Sequence, residues 1–329
     1  MTPSPTSKHL FYAEMAKLLE AGFDIRKAAK VLEDTELPVA QQALLTDLHR
    51  GLESGESITT AFAKDTQTIS SLERSIISAG ERGGKLAPAF QHLADYFGMI
   101  ASARRSIITG VIYPAVMLHL GVIIGTLPTA LMRGESMTKI VGSLALNFLI
   151  LYGAALTVFF LCRSVLGMAV GNAAVDAAIN RIPWIGKTRR NLAMARFTTV
   201  YHSCVLASIP METTVSLASN ASHSGLIRSA GNRIAATARS GNSLGPAFVA
   251  EAAFPKAFAR SYQTGEEAGT LDKDLARWSR VFREDSESSA RDMAAMLPKV
   301  LYFIILFFVA WKIVGFYSGY FGDLEKMME

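Results

Sequence analysis

Three runs of the chain are almost free of charge, and in the stretches between them apolar residues recur every three or four positions. One run lies between Arg105 and Arg133, a second between Lys139 and Arg163, and a third, Val300–Phe321, carries a single charge, Lys312. A helix crosses the hydrocarbon core of a bilayer with about 20 apolar residues. All three runs are long enough, so spans are predicted at 107–131, 140–162 and 300–322. The short polar stretch from Met132 to Lys139 makes the first two a tight helical hairpin.

The flanks orient these spans. Arg104 and Arg105 precede the first, and Arg163, Arg181, Lys187, Arg189 and Arg190 follow the second; the tail carries Lys326 among Asp323, Glu325 and Glu329. Excess lysine and arginine marks the cytoplasmic side. That places 1–106 and 163–299 in the cytoplasm, and the hairpin loop and the tail 323–329 outside. Inside the spans, Pro114 (after Tyr113) and Pro128 are tolerated where neighbours satisfy the freed carbonyls. His119 alone makes no proton path. Lys312 is a functional candidate because charge is costly in a bilayer, unless it snorkels to the outer interface.

The polar stretches read as all-α. Leu18, Ala21, Ile25, Ala28, Val31 and Leu32 keep helical spacing, and no alternating strand pattern competes. They also repeat. FYAEMAKLLEAGFDI from Phe11 pairs with FTTVYHSCVLASIPM from Phe197, and ESGESITTAF ending at Phe62 pairs with RSGNSLGPAF ending at Phe248, both at an offset of 186 residues. Gly80-Glu81-Arg-Gly-Gly84-Lys-Leu86 pairs with Gly265-Glu266-Glu-Ala-Gly269-Thr-Leu271 at 185. The expected architecture is therefore an all-α membrane protein with two duplicated cytoplasmic helical bundles and three transmembrane helices. Each bundle (1–106 and 163–299) would hold about six short helices. Ser54-Gly55 and Ser240-Gly241 read as helix stops, and Ser57 and Ser243 as N-caps of the next short helix.

Composition agrees. Half of the 329 residues are hydrophobic, mean hydropathy is +0.27 and formal net charge is +5. That is too apolar for an ordinary soluble protein and too charged for a transporter that is nearly all membrane. Basic residues near the spans account for the charge without nucleic acid. Two cysteines, Cys162 and Cys204, form no CxxC pair, which fits a reducing compartment. The N-terminus is polar, without the apolar region of a secretory signal.

Candidate chemistry is sparse. Gly80–Lys85 superficially resembles a phosphate loop, but the first glycine of that motif would fall on Ala79, and Leu86 stands where the magnesium-binding hydroxyl belongs. The six histidines are scattered without metal-ligand spacing, and no GxSxG elbow occurs. No enzyme, metal or cofactor is expected. The paired glycine–glutamate blocks (Gly80, Glu81, Gly84, Leu86 and Gly265, Glu266, Gly269, Leu271) still need a cause. An acidic side chain at a helix C-terminus opposes the macrodipole, so Glu81 and Glu266 should engage something. The alternatives are a local cap that stabilises the turn, a contact with a partner, or a cation, for which one carboxylate is too few ligands.

These blocks, with Tyr113-Pro114 in the first span and Pro183-Trp-Ile-Gly186…Arg190…Ala195-Arg196-Phe197 opening the second repeat, resemble the type II secretion system F domain family. The resemblance runs from about Phe11 to about Phe321. It implies an inner-membrane platform protein of type II secretion or type IV pilus assembly, without catalysis. Such a protein couples a cytoplasmic assembly ATPase to movement of pilin or pseudopilin subunits. Other inner-membrane assembly proteins, membrane lipid and copies of itself are the further partners implied, and nucleic acid is not among them. Three departures stand out. The segment before the first bundle is about ten residues, shorter than in many relatives. Ala268 replaces the glycine matching Gly83. Asp24 stands where the second copy has the favoured proline, Pro210, which would loosen that turn. The rival expectation is an oligomeric transporter or channel component with large cytoplasmic domains; it would concentrate polar residues within the spans, whereas here most lie on the helices outside them.

Overall fold

The computed structural model describes residues 3–34, 38–63, 68–132, 134 and 136–328. Side chains are described except at scattered positions, Pro114 among them, and from Trp311 onward, which puts Lys312 outside the description. Among the described residues every regular element is an α-helix. They fall into two compact units, one of Met1–Arg104 with Met168–Ser289 and the other of Arg105–Gly167 with Ala290–Glu329.

The first unit opens with α1 (Pro5–Glu20), α2 (Ile25–Glu33), α3 (Val39–Glu53), α4 (Ile58–Ala63) and α5 (Ser71–Arg82), followed by the start of α6 (Leu86–Met132). After α7 (Met137–Gly171) and α8 (Ala173–Asn180), the second series is α9 (Ile185–Leu206), α10 (Met211–Ala221), α11 (Gly225–Arg239), α12 (Gly245–Ala250) and α13 (Lys256–Glu267), followed by the start of α14 (Leu271–Met328). Local chemistry sets the ends. Ser54 and Ser240 close α3 and α11, and Gly55 and Gly241 follow at φ +80° and +73°, the left-handed conformation that glycine adopts without a Cβ clash. Ser57 caps α4 by accepting from the Thr60 N–H at 3.1 Å. Ser243 does not cap α12. That helix starts at Gly245 with Pro246 in its first turn, and the Ser243 hydroxyl bonds to Glu266 instead. The turn at Asp24 is not loosened either: the carboxylate N-caps α2 through the Lys27 N–H at 2.9 Å, whereas Pro210 starts α10 with no side-chain cap.

The core of this unit is aromatic. In the N-terminal series Tyr12 packs against Phe11, Phe90 and Phe97, and Phe90 against Phe62. In the C-terminal series Phe197, Phe248, Phe254, Phe258 and Tyr262 pack edge to face or tilted, extended by Trp278 and Phe282. Rings of this size dominate core burial, and tilted or edge-on contacts suit their quadrupoles. The two series share one hydrophobic cluster. His92 meets His202 across it, ring centroids 6.2 Å apart.

In the second unit the apolar stretches of α6 and α7 are long enough to cross a membrane, and none of their most apolar window is buried. Ile112, Tyr113, Ile124, Leu149 and Phe160 are all exposed. The edges predicted for the spans are not helix ends: α6 runs through 106 and α7 through 162, and α14 runs through 299. At the first two edges nothing breaks a helix, since Arg104, Arg105 and Arg163 are good helix formers, and at the third α14 continues past Pro298. Hydropathy marks where the solvent changes, not where the helix stops. The predicted third span lies in α14, with most of its side chains outside the description.

Among the described residues, two side-chain hydrogen bonds tie the hairpin. His119 Nδ1 faces the Ala115 carbonyl and Nε2 faces the Tyr152 hydroxyl, both at 2.6 Å. A carbonyl can only accept, so Nδ1 carries the proton and Nε2 accepts from Tyr152. The Asn147 amide donates to Thr126 Oγ1 at 3.0 Å. Where α6 meets α14, a Cβ on Gly110 would lie 2.4 Å from that of Ala294. Small residues allow such backbone approach between membrane helices.

Candidate functional site

The two glycine–glutamate blocks form the same turn twice. Gly83 ends α5, and Gly84 follows at φ +64°. The Lys85 N–H reaches back to the Gly80 carbonyl at 2.8 Å and the Gly84 N–H to that of Glu81 at 3.2 Å. After α13 the corresponding bonds are Thr270 N–H to Gly265 at 2.8 Å and Gly269 N–H to Glu266 at 3.3 Å, with Gly269 at φ +69°. This is the Schellman closure, whose left-handed position favours glycine. The other glycine of each block serves packing. A Cβ on Gly80 would lie 2.5 Å from that of Ala89, and one on Gly265 would lie 2.4 Å from Oδ2 of Asp274, each on the following helix. Leu86 and Leu271, half-buried, open those helices against the core.

The carboxylates face the other way. Glu81 accepts from the Ile58 N–H at 2.6 Å, from the Thr59 N–H at 2.9 Å and from the Thr59 hydroxyl. Glu266 accepts from the Leu244 N–H at 3.0 Å, from the Gly245 N–H at 2.7 Å and from the Ser243 hydroxyl. Each side chain leaves the negative end of its own helix and neutralises unpaired N–H donors at the start of the preceding short helix, where negative charge is favoured. The carboxylate thus pins α5 to α4, and α13 to α12.

Two buried charged centres carried no expectation. In the N-terminal series Glu73 is fully buried, with Lys8 Nζ 2.8 Å from both oxygens, the Tyr12 hydroxyl at 2.6 Å and the Ser70 N–H at 2.8 Å. Burial first, then the charge of Glu73, pushes the Tyr12 phenol well above its ordinary range. Ser70-x-x-Glu73 is a capping box, a signal present in the sequence. In the C-terminal series fully buried Asp176 binds Arg189 Nε at 2.8 Å, the Leu226 N–H at 3.1 Å and the Ser224 hydroxyl. The Asn180 amide adds a bond at 3.4 Å from one turn along α8, but the other partners lie 13 to 50 residues away, beyond any local pattern.

The Pro183–Gly186 segment is a tight γ-turn. The Ile185 N–H bonds to the Pro183 carbonyl at 2.8 Å across Trp184, held at φ +62°, a strained conformation for a residue with a Cβ. A Cβ on Gly186 would lie 2.4 Å from the Asn180 carbonyl oxygen. Of the span residues singled out, Tyr113 is 57% exposed, while the Pro114 and Lys312 side chains lie outside those described. Among the described residues no cluster of three His, Cys, Asp or Glu is placed to hold a metal.

Comparison with known proteins gives a consistent assignment. The profile of the family "Type II secretion system (T2SS), protein F" matches residues 11–132 and 197–319. The chain is 25% identical to the type II secretion system protein F of Xanthomonas campestris pv. campestris over 88% of this chain and 76% of that protein. It is 20% identical to the type IV pilus assembly protein TapC of Aeromonas hydrophila, over 94% of this chain and 80% of the relative. The type IV pilus assembly protein PilC of Pseudomonas aeruginosa is also 20% identical, over 95% and 88% respectively.

Proposed function

Because the chain belongs to the type II secretion system protein F family, we propose that it is the inner-membrane platform of a secretion or pilus-type assembly machine, a scaffold and not an enzyme. The observation that carries this reading is the family match over both helical series, joined to two exposed apolar helices long enough to span a membrane. In this role the platform couples a cytoplasmic assembly ATPase to movement of pilin-like subunits, alongside other inner-membrane assembly proteins and further copies of itself.

The two series are duplicated modules, 1–106 and 163–299, on the cytoplasmic side. The matched bonds of Glu81 to the Ile58 and Thr59 N–H groups and of Glu266 to those of Leu244 and Gly245 support this. A third span at 300–322 joins the hairpin 107–162; the unbroken helix of α14 and its close approach to α6 at Gly110 support it. α6 and α14 each run without a break from a packed stretch into an apolar one, so the chain itself connects the two. Detergent extraction after gentle crosslinking, followed by mass spectrometry, tests the reading. An assembly ATPase and pilin-like subunits should co-purify; an eluate without either contradicts it.

A further inference from the structure

The turn between α8 and α9 carries an apolar tip that nothing in its own unit covers. Every residue from Arg181 to Ile185 is exposed, with Ile182 at 47%, Trp184 at 51% and Ile185 at 45%. The backbone that presents them is closed on itself. Pro183 has no N–H, and four of the other five N–H groups from Arg181 to Gly186 bond to nearby carbonyls. Arg181 donates to Ala178 at 3.2 Å, Ile182 to Ile179 at 3.0 Å, and Ile185 to Pro183 and Gly186 to Ile182, both at 2.8 Å. Trp184 holds φ +62°, a conformation that a residue with a Cβ keeps only where its surroundings impose it. With the indole half exposed, packing within the chain does little to offset that strain. Arg181 and Arg190 flank the tip, exposed and without an ion pair or hydrogen bond among the described residues. From Ala177 to Met211 the chain has no acidic residue.

Each of these features suits the interface of a bilayer. Tryptophan concentrates where hydrocarbon meets headgroups, and arginine draws anionic lipid. Exposed isoleucines gain by leaving water, and a backbone whose donors are already bonded enters an apolar medium at little cost. A single turn is also far smaller than the roughly 800 Å² per partner of a stable protein interface. We propose that the Ile182–Ile185 turn docks on an anionic lipid surface, with Trp184 and the two isoleucines in the interfacial layer and Arg181 and Arg190 on lipid phosphates. The chain reaches that far. Past the predicted span end at 162, α7 continues nine residues to Gly171 and α8 adds eight. These are two rods of about 12–14 Å at 1.5 Å per residue, and the extended backbone at Asn172 (φ −126°) separates them, so a fold back there returns the turn to the surface. The inference rests on the reading of the chain as a membrane platform with this series on one side of the bilayer.

The test uses the full chain reconstituted into vesicles of phosphatidylcholine and phosphatidylglycerol, with acyl chains brominated just below the headgroup and tryptophan fluorescence as the readout. The chain has three tryptophans, so the signal of Trp184 is the difference between the parent and Trp184→Phe. That signal should be largely lost to brominated lipid and little affected by acrylamide in the water. Arg181→Glu/Arg190→Glu, or vesicles of phosphatidylcholine alone, should restore most of it. Both variants change exposed side chains and should melt with the parent. A signal open to acrylamide and untouched by brominated lipid overturns the proposal and marks the tip as a protein-docking surface. Lipid quenching that is equal in the charge variant, or equal without phosphatidylglycerol, overturns it too. Flotation with the vesicles separates the two readings: a chain that stays behind sinks the membrane reading together with the proposal, whereas failed quenching in a chain that floats sinks the proposal alone.

Discussion

Where the N-terminal series of the first unit buries Lys8, Tyr12 and Glu73, the C-terminal series has Met194, Thr198 and Phe258 at the matching positions. The frame around them is common to both. Phe11 matches Phe197, Phe62 matches Phe248, and Phe97 matches Phe282, all buried. One series fills the space between its helices with a hydrogen-bonded ion pair, the other with Met194, Phe258 and a threonine whose hydroxyl turns back to the Met194 carbonyl of its own helix. Helix register and volume therefore fix these positions, and the chemistry that occupies them is free to change. The carboxylate turns behave in the opposite way: Glu81 and Glu266 keep residue type, bonds and target. The carboxylate that ties each turn to the preceding short helix is the same in both series, whereas the ion pair of Glu73 and the helix caps at Asp24 and Ser57 have no equivalent in the second.

The largest effect that sharpens this contrast is at Lys8. Lys8→Met alone leaves Glu73 buried without its counter-charge and should destabilise by about 3–5 kcal/mol. Lys8→Met with Glu73→Leu imitates the C-terminal series and should recover much of that loss, as measured by denaturant unfolding in detergent. A double variant as unstable as the single would break the comparison. Next come the turns. Glu81→Ala and Glu266→Ala should each cost about 1–2 kcal/mol, the size of a lost helix cap, and the two costs should agree. Charge reversal to lysine at either position should lower folded protein and assembly together. Loss of assembly at full protein level would assign these carboxylates a partner contact as well.

A smaller effect concerns the turn after the first helix of each series. Gly22 sits at φ +87° and its counterpart Ser208 at φ +56°. Nothing lies within 4 Å of a Cβ built on Gly22, so Gly22→Ser should cost about 1 kcal/mol from backbone strain alone, and Ser208→Gly should gain a similar amount. Opposite shifts in melting temperature would verify this. The smallest effect is at the seam. Burial lowers the pKa of both His92 and His202 below 6.5; His92 lowers that of His202 further, while Asp95 and Asp272 partly oppose the shifts. The folded state then binds fewer protons than the unfolded one, so stability present above pH 6.5 is lost as pH falls below it. His92→Gln/His202→Gln should flatten that decline in melting temperature.

Much of this could be read along the chain. Spacing gave the helices, Gly55, Gly84, Gly241 and Gly269 gave their ends, and hydropathy gave two exposed apolar helices. What could not be read depends on contacts distant in sequence. Glu81 and Glu266 caught attention as charges at the wrong helix end, but their targets lie on helices 22 and 21 residues earlier at the nearest, and only packing selects them. Ser243 looked like a cap because its counterpart is one, yet Pro246 moves the helix start and frees its hydroxyl for Glu266. Asp176 has little local signature, since apart from Asn180 its partners come from α9 and from the start of α11. Nothing in the residue types of Pro183-Trp184-Ile185-Gly186 signals the left-handed backbone at Trp184.

The most direct measurement of the platform role is an in-frame deletion of the gene in its host, complemented in trans, with surface filaments or secreted protein quantified against the cellular levels of ATPase and pilin-like subunits. The account predicts that assembly stops while those components persist, and returns with the intact chain. Assembly that continues without the protein would contradict it.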